Sequence, residues 1–532
     1  MKSEFQGADG TLVLPPQIPD PQWRGAVVAT PKTRLRSWEF GGSAAALCAL
    51  AVLIAAVTGV VLFAAAGSTV VAAHPGHVFP GWEAGPLSGI LSKHSAGVGF
   101  GKLGLGTTKA SKSTDNAMYT VMMVVAFLAY LLVLRTARSL RMWQVSAFVV
   151  LTGTILLLGP PDRLNDLFNY LGYARLGALH GLNPYTHVIA NEHGDPSYLF
   201  ATWRNLKSPY GPLFTALTYP LALLPLAVAY WELKIVILAL SFGFLYCVYL
   251  CAVRLGRDPR WVILFIAANP VYLFFELGGF HNDFVMLLPS MASIALLLGG
   301  RERASGVALA LAVAVKFTTI VLLPFLLIAA WRSGKWPKVL QGVGIAAIPL
   351  AVMDWLLFGL AMPNTRDQSR LVTSMSIPNL AGLALGQGGA THAVVLVCEL
   401  LAVGVMIFAL STFRRRSWIE GAGWAQIALI ASLAWLMPWY VVWALPLVAL
   451  SRSAALRRTG LVLTAFVAAS FVPLMAPFLK SQGFNPQTTA VWRANNAFEQ
   501  GLQWPTFHTT RIASADDFAG GRAGGSLARR PE

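Results

Sequence analysis

Charged side chains are scarce in this chain. Asp, Glu, Lys and Arg make up only 12% of its 532 residues, roughly half the share usual for a soluble domain. That scarcity excludes an ordinary soluble fold of this length. Cysteine is scarcer still. Cys48, Cys247, Cys251 and Cys398 all lie inside apolar runs, so neither a disulfide framework nor a cysteine zinc motif is expected. Internal repeats are missing, which speaks against the inverted-repeat transporter folds. Residues 1–39 hold no apolar run, so no cleavable signal peptide is expected there.

What is present is apolar: 56% of the residues are hydrophobic. Many runs approach or exceed the roughly 20 residues needed to cross a bilayer. The chain therefore reads as an all-α, polytopic integral protein of the plasma (inner) membrane. Its +17 net charge does not point to nucleic acid. Most Lys and Arg fall in short connectors, which is the positive-inside signature of membrane topology.

Requiring every short basic cluster to lie on one side orders the chain. Residues 1–39 form a disordered cytoplasmic tail, 40–478 the transmembrane domain, and 479–532 an external tail. About 13 crossings are expected, with large external loops at 67–116, 160–208 and 361–390. The segment 210–228 is expected as a re-entrant or interfacial helix. The charge rule also splits two long apolar runs, one near Lys316 and one at Met437-Pro438-Trp439-Tyr440. Such breaks are tolerated at membrane depth only where protein or a wet cavity satisfies the backbone.

This topology gathers three polar clusters on the external face: Asp162 with Asp166, His281-Asn282-Asp283, and Lys316. Ionisable groups at bilayer depth are costly and mark function. Asp166 is the candidate general base, because a carboxylate in reach of an attacking hydroxyl can take its proton. The competing role for Asp166, and for Asp283, is to cap a helix N-terminus. Asp162 is expected to support or contact substrate. Lys316, His281, Asn282 and Asp283 are candidates for holding a phosphate-linked leaving group, with Arg175, Arg204 and Lys207 as further phosphate-binding candidates. Tyr170, Asn183, Tyr185, Tyr210, Trp439 and Tyr440 are candidates for contacting sugar. One His and scattered acids make a poor ligand set, so no metal is expected.

The ordered motifs carry a resemblance. Asp166-x-x-Asn169-Tyr170, Gly181-Leu182-Asn183-Pro184-Tyr185 and Ser208-Pro209-Tyr210-Gly211-Pro212-Leu213 are followed by Gly279-x-His281-Asn282-Asp283, Lys316 and Pro438-Trp439-Tyr440-x-x-Trp443. The set resembles the actinobacterial polyprenol-phosphomannose-dependent α-1,6-mannosyltransferases over about residues 140–450. The resemblance implies a GT-C glycosyltransferase fold, a polyprenyl-phosphate sugar donor, inverting transfer without a metal, and an external active site with Asp166 as base. It also implies a glycolipid or glycan acceptor of the lipomannan type. The rival from another class is a transporter or flippase of lipid-linked sugar, which would carry its ionisable groups near mid-membrane rather than in one-sided loops.

Overall fold

The computed structural model describes residues 36–66, 112–159, 161, 166–412 and 417–503. Residues 1–35, most of the 67–116 loop, Asp162, and the tail from 504 onward lie outside the described residues, as do the expectations made for them. The chain divides into two units at Gly41. Of the first, only the opening of one helix is described. The second, Gly42–Glu532, contains every described candidate site residue.

Among the described residues every regular element is helical. The order is α1 (Arg36–Ala66), α2 (Lys112–Thr136), α3 (Met142–Leu158), α4 (Leu167–Ala178), α5 (Pro212–Ala222) and α6 (Leu226–Arg254). Next come α7 (Pro259–Ala267), α8 (Asp283–Leu298), α9 (Glu302–Val315), α10 (Leu323–Trp331), α11 (Trp336–Phe358), α12 (Thr365–Ser369) and α13 (Ile377–Ala384). The series closes with α14 (His392–Ser411), α15 (Trp418–Ser432), α16 (Leu445–Leu450), α17 (Ala454–Phe471), α18 (Met475–Ser481) and α19 (Ala490–Leu502). Six of these segments are long and apolar enough to cross a membrane, and four shorter apolar helices accompany them.

The breaks are where the chemistry is placed. After α9, Lys316 adopts an extended backbone (φ −149°, ψ 112°) and a 3-10 turn, Phe317–Leu322, leads into α10. The split expected near Lys316 is therefore present. The split expected at Met437-Pro438 is present too: α15 ends at Ser432, and a 3-10 turn, Pro438–Trp443, precedes α16. Proline brings no N–H to continue a helix, which favours a break at that point. The apolar run 261–277 is also interrupted. Its helix α7 stops at Ala267, Asn269 accepts the Val271 N–H, and a π-helical turn, Tyr272–Leu277, follows. Such π turns inside helical runs frequently sit at functional sites.

Helix α5 has 11 residues, about 16 Å of rise against a hydrocarbon core of about 30 Å. It cannot cross, in keeping with the interfacial helix expected for 210–228. The 361–390 loop contains α12 and α13. The described part of the region expected as a C-terminal tail contains the end of α18 and the whole of α19. Leu502 of α19 buries itself against Leu206 and Leu371, flanked by Trp203, Trp435 and Phe498.

Candidate active site

Asp166 occupies the N-cap position of α4, yet its side chain makes no capping hydrogen bond. Instead the carboxylate is divided between two partners. Oδ1 accepts a hydrogen bond from Asn169 Nδ2 at 3.2 Å, and Oδ2 lies 3.9 Å from His281 Nδ1. Asn169 is itself fixed, because its Oδ1 accepts the backbone N–H groups of Thr202 and Trp203, both at 2.9 Å. Burial pushes the Asp166 carboxyl up to about 6; the Asn169 hydrogen bond, the Lys316 charge and a Tyr210 hydrogen bond partly offset it, while the nearby Asp283 adds to it. A carboxylate at that level is ionised at neutral pH and still a competent proton acceptor.

The second corner repeats the pattern. Asn282 stands at the N-cap position of α8 without capping it, and Asp283 opens the first turn. Asp283 Oδ1 receives Lys316 Nζ at 2.7 Å and also the indole N–H of Trp443. The Lys316 ammonium lies 5.3 Å from the Tyr440 ring centre and 4.8 Å from that of Trp443, within cation–π range. His281 stacks on Trp439, with ring centres 3.6 Å apart and planes 17° apart. Tyr170 joins the two corners: its hydroxyl accepts the Asn282 N–H at 3.1 Å and donates to Asn282 Oδ1 at 3.4 Å.

Accessibility separates the roles. His281 and Asp283 side chains are about 1% exposed, whereas those of Asp166 and Lys316 are 19% and 20% exposed. The Asp166 carboxylate and the Lys316 ammonium are thus partly open, and the His281 and Asp283 side chains beside them are closed off. Among the described residues, no set of three His, Cys, Asp or Glu side chains is arranged to hold a metal ion.

The Pro209-Tyr210-Gly211-Pro212 turn holds the parts in register. The Gly211 N–H donates to the Val315 carbonyl at 3.1 Å, tying the turn to the residue before Lys316. A Cβ on Gly211 would overlap the Ala314 carbonyl oxygen and come 2.6 Å from that of Val315. Only glycine permits this backbone approach.

Other expected site residues have their polar groups engaged elsewhere. Asn183 donates to the Phe358 carbonyl and accepts the Tyr185 N–H. Tyr185 hydrogen-bonds the Tyr210 carbonyl and Thr215, so both brace the turn. Arg175 forms an ion pair with Asp195 at 2.9 Å, and His180 reaches the same carboxylate at 2.8 Å. Burial pushes Asp195 up, but hydrogen bonds from Arg175, His180 and Ser197 outweigh it and hold the carboxyl at about 2. Arg204 is buried, donates to the Ala201 carbonyl and lies over the Tyr198 ring at 4.4 Å. These contacts fold the loop. Lys207 is exposed.

Two buried charged residues escape the sequence reading. Lys234 and Glu276 are both 0% exposed. The Glu276 carboxylate, in the π turn, has no hydrogen-bond partner among the described residues. A charge inside an apolar run is the signal that marks Lys316, and it applies equally to these two.

The fold and the site together define a polytopic helical membrane protein in which a partly exposed carboxylate, Asp166, and an ammonium, Lys316, stand at breaks between apolar helices. Comparison with known proteins narrows that class. The family model described as alpha-(1->6)-mannopyranosyltransferase, N-terminal domain, matches residues 78–332. Alpha-(1->6)-mannopyranosyltransferase A of Mycobacterium tuberculosis is 25% identical over 327 residues, 55% of this chain and 62% of that protein. The Corynebacterium glutamicum protein of the same name is 33% identical over 183 residues, 32% of this chain and 35% of that protein. A probable alpha-(1->6)-mannopyranosyltransferase of Mycolicibacterium smegmatis is 25% identical over 429 residues, 69% of this chain and 76% of that protein. The first two matches span less than two thirds of those relatives' lengths. No solved structure matches the chain. These matches bear out the resemblance to the actinobacterial α-1,6-mannosyltransferase family.

Proposed function

We propose that the protein is an inverting mannosyltransferase with a GT-C architecture. It moves mannose from a polyprenyl-phosphate donor to a glycan or glycolipid acceptor at the external face of the plasma membrane, forming an α-1,6 linkage. The observation that carries this reading is the pairing of an accessible, elevated carboxyl, Asp166, with an accessible ammonium, Lys316, across the buried His281–Asp283 corner.

In this reaction the acceptor hydroxyl oxygen attacks the anomeric carbon as the bond from that carbon to the phosphate oxygen breaks. The hydroxyl proton passes to Asp166, and the lipid phosphate departs with the bonding electrons. Lys316 stabilises the growing phosphate charge, in the manner of a preorganised cation. Because inversion exchanges the faces of the anomeric carbon, an α product requires a β-linked donor. Lys316 supplies the cationic charge, so transfer should continue in EDTA.

The test is transfer of labelled mannose from synthetic polyprenyl phosphomannose by purified protein in lipid nanodiscs. Wild type should transfer, and Asp166→Asn should fall by about 10²–10⁴-fold, the range for a positioned acid–base group. Near-normal turnover by the variant would remove Asp166 from this role. Absence of transfer by wild type to any mannan acceptor would overturn the mannosyl reading.

A further inference from the structure

Lys234 lies in the third turn of α6, and its ammonium meets no carboxylate among the described residues. Nζ donates to the carbonyl oxygens of Leu157 and Gly159, at 2.7 and 2.6 Å. Those carbonyls close α3 and its C-cap, the negative end of the helix, where a cation is favoured. Around the ammonium stand aromatic faces: Trp231 at 4.6 Å, Phe280 at 4.7 Å and Tyr230 at 5.3 Å.

Both ends of this arrangement lead into the candidate site. Asp166 follows the α3 C-cap, Gly159, by seven residues in the sequence. Phe280 immediately precedes His281, and it holds φ at +50° while fully buried. A bulky residue in that region of backbone space is strained and persists only where its surroundings hold it. Lys234 is therefore bonded to the exit of one arm and packed on the strained corner of the other. Those two arms meet where His281 approaches Asp166.

We propose that Lys234 is a positioning residue for transfer. By capping α3 and anchoring the Phe280 ring it sets the separation between Asp166 and the His281–Asp283 corner, without touching substrate. The inference rests on the assignment of Asp166 as base. A charge so deep in an apolar span is costly. The ammonium reaches both helix carbonyls and three rings at once, so one group ties the end of α3 to the Phe280 ring.

The experiment compares Lys234→Met, Lys234→Arg and Asp166→Asn in nanodiscs, with synthetic polyprenyl phosphomannose as donor. Lys234→Met keeps the side-chain length and loses the two hydrogen bonds. It should lower kcat by 10–100-fold, the cost of about an ångström of misplacement, with the donor KM changed less than threefold. Hydrogen exchange at 157–159 and 279–283 should quicken while that of α11 stays the same. Lys234→Arg, which keeps the cation and its donors, should recover most of kcat. Wild-type kcat in a folded Lys234→Met protein would overturn the proposal. So would an equal loss in Lys234→Arg together with exchange quickened throughout the chain, the pattern of general destabilisation. If Lys234→Met fails to fold, Lys234→Arg decides through kcat and local exchange. Retention of activity by Asp166→Asn would instead defeat the base assignment, an outcome separable from any result at Lys234.

Discussion

Lys316 Nζ lies 2.7 Å from Asp283 Oδ1, and the same oxygen receives the indole N–H of Trp443. One buried carboxylate therefore anchors the cation where α9 breaks and the aromatic turn where α15 gives way to α16. Removing either charge leaves the other without its partner at depth, a loss worth about 3–5 kcal/mol. We expect Asp283→Ala to be destabilised by that order in thermal unfolding. Asp283→Ala combined with Lys316→Met should be less destabilised than the sum of the two single changes, because the pair acts as a unit. Strict additivity would show that the two groups do not depend on one another.

Asp166 sets a pH dependence with a definite sign. Its carboxyl is pushed up to about 6, chiefly by burial, and the base form is the ionised one. Activity should therefore be complete above neutrality and fall as pH drops through 6, with only about a tenth of the base form left at pH 5. A kcat/KM profile should show one acid limb near that value, and in Asp166→Asn the residual rate should lose it. A limb near 4 in the wild type would place the base elsewhere.

How much of this is legible in the sequence depends on the range of the interaction. The breaks at Lys316 and Met437–Pro438 are readable, since charge asymmetry and proline act locally. A role for Asp166 beyond capping is readable only from its company. The structure adds that its side chain leaves the N-cap bond unmade and turns to Asn169 and His281. Arg175 looks like a phosphate ligand in the sequence because its acid, Asp195, is 20 residues away, and nothing local announces that pairing. The helix that ends at Leu502 reads as tail because its apolar residues have a purpose only beside Leu206 and Leu371. Lys234 is readable in principle. It goes unmarked because its partners are backbone carbonyls, which no side-chain pattern records.

The Arg175–Asp195–His180 cluster should prove to be structural. Asp195 is held at about 2 by its hydrogen bonds, so its contribution to stability is present above its unfolded value of about 3.9. That contribution is lost as pH falls toward 2. Asp195→Ala should cost about 3–5 kcal/mol, as for other broken buried pairs. It should leave the donor KM of the folded fraction unchanged, measured by initial rates at fixed acceptor. A large rise in donor KM in Arg175→Gln, with stability intact, would restore Arg175 to the phosphate site.

Gly211 offers the sharpest steric test of how the site is held. Its backbone is ordinary in φ, so no conformational freedom is at stake there. The demand is for space, since an added methyl would meet the Ala314 and Val315 carbonyls. Those atoms belong to the end of α9 and cannot turn aside as a side chain can. Gly211→Ala should push the Pro209–Pro212 turn away from Lys316 and break the Gly211–Val315 hydrogen bond. Overpacking of this kind costs about 1–3 kcal/mol, and misplacement of a charged group by about an ångström costs about 10²-fold in rate. Gly344→Ala, in α11 with no atom within 4 Å of the new methyl, is the matching control and should change stability by no more than about 1 kcal/mol. Transfer assays and thermal unfolding on the two variants separate the outcomes. If Gly211→Ala behaves like Gly344→Ala, the turn does not set the position of Lys316.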